Sequence, residues 1–421
     1  MLDIKFIQQN PDKVKESCKN KQVKVDINKI LDIYKKKNEA LKSIETIRAK
    51  KNEASKKIPG MKNEKEKKEL IAEMKELDKT GEKIDENFKK LTTEYESLML
   101  LVPNVAFDDV PIGKDESENV VVREVGEKPK FDFKFKDYLE LAENLDLIDV
   151  KRAAKTSGTR FGFLKREAVF IEFALVNLVF ENLIKERFIP ILPPVMLKEP
   201  MARGTGYFEA ADRNEAYFFP EDNLYLVGTS EQSLLAMHAD EVLEGKDFPK
   251  RYLGFSTCFR REAGAYGKDT KGIFRVHQFD KVEMLSFCQP EKSREEHEFL
   301  LSLEEKLMQL LKIPYRVVKI CTGDLGRPAA AKYDIETWIP SENRYRETHS
   351  TSNCTDFQAR RLNIRFRDKT GKLNFVHTLN GTAFAIGRIL IAIIENYQQK
   401  NGTIKIPEVL QKHLSFKEIK K

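Results

Sequence analysis

The chain offers little to a metal or a disulfide. Its five cysteines, Cys18, Cys258, Cys288, Cys321 and Cys354, are scattered, odd in number and without a CxxC pair. That argues against a disulfide framework or a thiolate zinc site, and for a reducing, cytoplasmic setting. The six histidines form no HxxxH pair, so a His-based metal site has little support. No run of 18 apolar residues occurs, and no membrane-crossing helix is expected. The opening MLDIKFIQQNPDK has acids and amides where a secretion signal needs an apolar run. Two nucleotide motifs are missing as well. Gly264-Ala265-Tyr266-Gly267-Lys268-Asp269 lacks the GxxxxGK[ST] spacing of a phosphate loop, and Gly204-Thr205-Gly206 is followed by Glu209 where a dinucleotide motif wants glycine. If ATP is bound, another geometry must hold it.

What is present is length and charge. The 421 residues can form two or three domains, each with its own core. A third of them are charged, with a net charge of +7 and a pI of about 8.8. This balance is compatible with nucleic acid but is shared by many ordinary enzymes.

The first hundred residues are helical. Asn10 is a plausible cap for a short helix over 10–20, with Pro11 in its first turn. Steps of three and four from Ile30 then meet Ile33, Lys37, Ala40, Ile44, Ile47, Lys51, Ala54 and Ile58. After Pro59-Gly60 the same steps run from Leu70 through Met74, Leu77, Gly81, Ile84, Phe88, Leu91, Tyr95 and Leu98 to Val102. Two heptad runs around a Pro-Gly stop predict an antiparallel coiled coil over about 27–102, with its turn near 58–66. Each helix would be roughly 45–50 Å long at 1.5 Å per residue. Residues 35–68 hold 13 Lys or Arg against 5 Glu, a balance of +8, whereas residues 69–102 hold 5 Lys against 9 acids, or −4. Such a surface is either an ordinary solvated coil or an arm that binds phosphates near its tip.

The chain then divides: 1–103 is the arm domain, 104–160 a linker and lead-in with Pro103, Pro111 and Pro129 nearby, and 161–421 the larger body. Phe163–Arg187 reads as a long helix and 383–398 as the last one. Strand-like runs recur at 188–197, 223–229, 251–262, 273–288, 314–321, 333–339, 344–352 and 374–381. Short connections favour an α+β body: a largely antiparallel sheet with helices on one side.

Chemistry concentrates in the run Cys258-Phe259-Arg260-Arg261-Glu262 and in Phe274 to Met284. On a strand, residues two apart share a face, which aligns Arg260 with Glu262 and aligns Arg275, His277, Phe279, Lys281 and Glu283. The face is either solvent-exposed or the floor of a pocket, with an arginine for phosphate, a ring for a base and a carboxylate for an ammonium group. Arg388, amid Ile386, Ile389, Leu390 and Ile391, needs a partner, either a carboxylate or a triphosphate.

These segments, with the terminal LNGTAFAIGR, resemble the second and third signature motifs of class II aminoacyl-tRNA synthetases, and Ile189 to Val195 resembles the first. The resemblance sharpens to the seryl-tRNA synthetase family of bacterial type through MLDIKFI, Gly204-Thr205-Gly206, Thr229-Ser230-Glu231, Asp356 to Arg361 and His377 to Thr382. It covers essentially the whole chain. It implies activation of L-serine by ATP, then transfer to the 3′ end of tRNA(Ser), with tRNA(Sec) left open. It implies catalytic roles for Arg260, Glu262 and Arg388. ATP would be bound by Arg260, Arg261, Glu262, Val276, His277, Gln278, Phe279, Glu347, Thr348, His349, Ser350 and Arg388. Serine would be bound by Thr229, Ser230, Glu231, Arg260, Glu283, Asn380 and Thr382, and Mg²⁺ by Glu347 and Ser350. The 263–273 loop, with Lys268 and Lys271, and the coiled coil would contact tRNA in a homodimer. Two residues depart from the family pattern: Ser230 stands where alanine is frequent, and His349, where a small hydroxyl residue is common, is expected to alter charge near the phosphates with pH. Two other readings compete. One is a synthetase-like paralogue serving a carrier protein or regulation, against which the arm and the full residue set argue. The other is a coiled-coil structural protein, which leaves the polar face at 275–283 unexplained.

Overall fold

The computed structural model describes residues 1–207, 215–263, 269 and 271–421. The chain forms two compact units, Leu2–Pro103 and Asn104–Lys421, the latter grouped with Met1.

The smaller unit begins with helices α1 (Ile4–Gln9) and α2 (Pro11–Asn20), followed by the hairpin helices α3 (Ile27–Lys57) and α4 (Glu64–Leu101). Asp26 caps α3 by accepting from the Lys29 amide at 3.0 Å. At α4, Asn63 accepts from the Lys65 amide and donates to the Glu66 carboxylate at 2.8 Å, a reciprocal cap that starts the return helix. A short 3₁₀ turn, Ile58–Gly60, reverses the chain at the Pro-Gly step. Ile30, Ile33, Ala40, Ile44 and Ala54 are buried along the seam. The two seam lysines are accommodated differently. Lys37 lies over the Tyr95 ring at 4.7 Å, whereas Lys51 pairs with Asp78 across the hairpin.

The larger unit is built on an eight-stranded sheet. In chain order its strands are β1 (Val120–Val125), β2 (Phe188–Ile191), β3 (Lys250–Phe259), β4 (Gln278–Cys288), β5 (Tyr315–Lys319), β6 (Ala331–Ile339), β7 (Arg344–Asn353) and β8 (His377–Ala385). The spatial order is β1-β5-β6-β7-β8-β4-β3-β2. All neighbours are antiparallel except β2, which joins β3 in parallel. The helices Glu167–Leu183, Ser293–Leu311 and Ile386–Asn396 pack against the sheet and share its main apolar core, with Leu175, Leu178, Leu300, Leu307, Ile389 and Ile393 at its centre. Segment 104–160 folds with this unit: it supplies edge strand β1, and Asn104 donates to the Cys354 carbonyl at 2.9 Å.

Several predicted elements shorten. The run 188–197 splits into β2 and a separate strand Met196–Lys198, because Pro193-Pro194 cannot continue a ladder. The helix expected over 163–187 begins only at Glu167, since Phe163–Leu164 pairs as a small strand. More important for the site, β3 ends at Phe259 and β4 begins at Gln278.

Candidate active site

β3, β4, β7 and β8 carry their outward residues into one cavity of about 670 Å³. Lys281 and Glu283 on β4 face it, two residues apart, and so do Asn380 and Thr382 on β8. The short helix Ser230–Ala236, capped by the Thr229 hydroxyl, brings Thr229 and Glu231 to the same end.

This end is polar and enclosed. Glu231 and Glu283 are 3 % and 2 % exposed. Glu283 is ion-paired to Lys281 and accepts from the Thr229 and Thr382 hydroxyls at 3.2 and 3.5 Å. Glu231 forms no ion pair among the described residues. It accepts from Gln358 at 2.8 Å, Asn380 at 3.0 Å and the Tyr207 hydroxyl at 3.2 Å. Burial, reinforced by the charge of Glu283, pushes its carboxyl up to about 7. The pocket thus holds one neutralised carboxylate flanked by hydroxyls and one poised to gain from a cation.

The other end is built of cations and rings. Arg260 is exposed in the cavity, with its guanidinium 5.3 Å from the Phe279 ring centre. Strand alternation does not place Arg260 and Glu262, because both lie beyond β3. Instead Glu262 adopts φ 52°, a backbone region uncommon for a side-chain-bearing residue, and its carboxylate reaches Arg275 at 3.0 Å. Arg388 donates to the Glu347 carbonyl at 2.8 Å and pairs with its carboxylate at 3.3 Å. The Phe274 ring is within reach of two guanidiniums, Arg388 at 4.8 Å and Arg346 at 3.9 Å. Glu347 is half exposed toward the cavity. Desolvation opposes its charge, yet Arg388, Lys332 and Arg260 hold its carboxyl well below the usual range.

A β-bulge explains how Glu347 and Ser350, three residues apart, share one face. The ladder slips between Ile335 and Glu336, so Ile335 faces His349 while Glu336 faces Glu347. The extra residue restores the alternation, and both side chains enter the cavity.

The expected site residues do not all meet there. Arg260, Glu262, Val276, Phe279, Glu347, Thr348, Ser350, Arg388, Thr229, Glu231, Glu283, Asn380 and Thr382 line the cavity. Arg261, His277, Gln278, Ser230 and His349 are not among its lining residues. Before β4, His277 ties the chain back, its Nδ1 3.0 Å from the Arg260 carbonyl. Ser230 turns into the protein and donates to the Gly254 carbonyl at 3.2 Å. The expectation that His349 tunes phosphate charge with pH is corrected: it is 1 % exposed, packs edge-on to Phe384, and desolvation lowers its pKa to about 3, so it stays neutral. Lys268 lies outside the described residues, as does Glu209. Sequence reasoning put Lys281 on the pocket face but gave no site role to it, nor to Tyr207, Phe274, Arg346 and Gln358. Lys281 was detectable as the residue two before Glu283, and Phe274 and Gln358 lie in segments already singled out, whereas Tyr207 and Arg346 come from outside them.

An antiparallel sheet of this order, carrying arginines and carboxylates on its open face, matches the class II synthetase core. Residues 217–397 fit the family model described as tRNA synthetase class II core domain (G, H, P, S and T). Residues 1–106 fit the Seryl-tRNA synthetase N-terminal domain. The chain is 44 % identical over 423 residues to the serine–tRNA ligase of Dictyoglomus thermophilum, covering 100 % of this chain and 99 % of that one. It is also 41 % identical over 421 residues to that of Treponema denticola, with both chains fully covered. Among solved structures, the seryl-tRNA synthetase of Pyrococcus horikoshii complexed with ATP superposes with a TM-score of 0.92 at 41 % identity, covering 100 % and 99 %. The cytoplasmic enzyme of Naegleria fowleri in complex with AMP gives 0.87 at 31 %, with the same coverage. The chain belongs to the seryl-tRNA synthetase family and is an aminoacyl-tRNA ligase.

Proposed function

We propose that the two ends of the cavity hold L-serine and ATP so that the serine carboxylate attacks the α-phosphate in line. The P–O bond to the pyrophosphate leaving group breaks as the new one forms, giving seryl-adenylate. The ribose 3′-hydroxyl of tRNA(Ser) then attacks the seryl carbonyl, and AMP departs. One observation carries this reading: an end lined by the buried carboxylates Glu231 and Glu283 and an end lined by Arg260, Phe279 and Arg388 belong to the same cavity.

Each residue then has a chemical task. Glu231 takes the serine ammonium, since it is the buried carboxylate without its own cation. Glu283 and Thr382 read the hydroxyl. An alanine in the same place would forgo that hydroxyl's bonds in a buried polar site, a penalty that can reach about 10⁴-fold. Arg260 screens the carboxylate and α-phosphate as two anions approach, and holds the line of attack. Phe279 stacks on adenine, Glu262 accepts from its amino group, and Arg388 leaves Glu347 to bind the γ-phosphate. Glu347 and Ser350 present only oxygen donors, the kind Mg²⁺ prefers, and would be the residues that hold it. When bound, Mg²⁺ offsets charge on the triphosphate. The segment Val276–Phe279, which leads into β4, acts through Val276 and Phe279, while His277 and Gln278 support the loop.

The arm's basic tip region binds the tRNA backbone by shape and charge, and the 263–273 loop meets the acceptor end. Exposed Phe170, Phe173, Ile189 and Leu192 support a subunit contact, so that the arm of one subunit serves the other's site. The enzyme works in the cytoplasm; no described helix is long and apolar enough to cross a membrane. Serine-dependent ATP–pyrophosphate exchange tests the reading. Exchange with serine but not alanine supports it, and absence of exchange with any amino acid would refute it.

A further inference from the structure

The arm is not the only concentrated positive charge. Between Arg360 and Lys372 the chain has six cations, Arg360, Arg361, Arg365, Arg367, Lys369 and Lys372, against the single acid Asp368. That net +5 compares with +7 for the whole chain. The segment contains a strand, Arg365–Arg367, paired antiparallel with Leu373–Phe375 and parallel with Val242–Glu244.

The acid is occupied locally. Asp368 accepts from the Thr370 and Lys372 amides at 2.8 and 3.0 Å, from the Thr370 hydroxyl at 2.6 Å and from Asn374 at 2.8 Å, so it closes the turn rather than neutralising a neighbour. Arg365, Arg367, Lys369 and Lys372 make no ion pair among the described residues; Arg365 binds Asn363 and Arg367 binds the Gly371 carbonyl. Glu244 stands opposite Arg367 in the ladder, and Glu241 is engaged with His238 at 2.6 Å. Phe366 is buried, which puts Arg365 and Arg367 on the outer face. There the Phe375 ring carries two guanidiniums, Arg360 at 4.5 Å and Arg365 at 5.0 Å; Arg360 is itself ion-paired to Asp356 at 2.6 Å, so the cations offered to a ligand are Arg365, Arg367, Lys369 and Lys372. The same turn of chain reaches the active site, because Gln358, two residues before Arg360, donates to Glu231.

We propose that this hairpin is a second RNA-binding surface, which takes the phosphate backbone of the tRNA body while its 3′ end is in the cavity. A stationary row of cations outside the site suits an extended polyanion. Neither serine nor ATP extends beyond the cavity. The inference rests on the ligase reading above.

The test is the triple variant Arg367→Gln, Lys369→Gln, Lys372→Gln in the full chain, with three measurements. Serine-dependent ATP–pyrophosphate exchange should be unchanged, which also establishes folding. The KM for tRNA in charging should rise about tenfold, and the slope of log KM against log salt should fall by about 0.7–0.9 for each phosphate that the variant no longer neutralises. Sedimentation should show the same oligomer as the unaltered chain. If the unaltered chain charges tRNA and the variant's KM and salt slope match it, the surface is refuted while the ligase reading stands. A loss of oligomer would make the hairpin a subunit contact and overturn the proposal. Failure of the unaltered chain to charge tRNA would overturn the reading on which it rests.

Discussion

Replacing Glu231 by glutamine should stabilise the protein and damage its use of serine. Glutamine keeps the shape: its carbonyl can accept from Gln358 and Asn380, and its amide can donate to the Tyr207 oxygen, which reverses its hydroxyl. Only the charge is removed. Burial moves the Glu231 carboxyl from 4.5 to about 7. Between these values the folded chain holds a proton that the unfolded chain has released. The group's contribution is therefore full below pH 4.5, declines as pH rises and is gone above about 7. At about 1.4 kcal/mol per tenfold change in proton affinity, the cost of folding with the charge is about 3 kcal/mol at pH 8. The variant escapes it, so its Tm should rise by roughly 5 °C at pH 8 and hardly change at pH 4. Serine loses its buried counter-charge, worth about 2–5 kcal/mol, and its KM in pyrophosphate exchange should rise from roughly 30-fold to a few thousand-fold. The KM for ATP should stay within a factor of about two. In the unaltered enzyme serine KM should climb about tenfold per pH unit below 7, because a protonated Glu231 cannot receive an ammonium group; the variant should show no such slope. A variant that is less stable at pH 8, or that keeps its serine KM, would refute the assignment.

Arg260→Ala should lower the exchange rate by about 10²- to 10³-fold, the usual cost of removing a donor aimed at developing charge, with an unchanged melting curve because the side chain is exposed. Phe279→Ala should raise the KM for ATP by about 5- to 150-fold, since stacking on a base is worth about 1–3 kcal/mol, and leave serine KM nearly untouched. His349→Gln should leave the pH–rate profile between 6 and 8 unchanged, since the buried ring is already neutral there; a shifted profile would contradict its placement. Replacing 35–95 by a short glycine linker should spare exchange and cripple tRNA charging. The excision is geometrically feasible because Tyr34, the last residue kept on α3, packs against α4 at Tyr95, next to the first residue kept.

The arm was legible because its determinants are local. Ile30, Ile33, Ala40 and Ile44 repeat at helical spacing, Pro59-Gly60 stops the first helix, and the same spacing resumes from Leu70; the cap at Asn63 emerged only in the structure. Parts of the site were also legible: Lys281 with Glu283, and Asn380 with Thr382, obey strand alternation. The same rule failed for Arg260, Glu262, Arg275 and His277, which lie where the ladder has ended, and for Glu347 and Ser350, whose shared face depends on a bulge.

The chain's sequence therefore determined the coiled coil, the α+β body, the family and most of the residue types needed for phosphate and ammonium chemistry, because each is encoded by short-range period or motif. Tertiary structure alone decided which of those residues share the cavity and what state they hold. Burial keeps His349 neutral and raises Glu231. Lys281 neutralises Glu283, and among the described residues Glu231 has no cation. Gln358 and Tyr207 arrive from distant segments to hold Glu231 in place. Charge state depends on desolvation and on the nearest opposite charge, and neither exists until the chain has closed around the site.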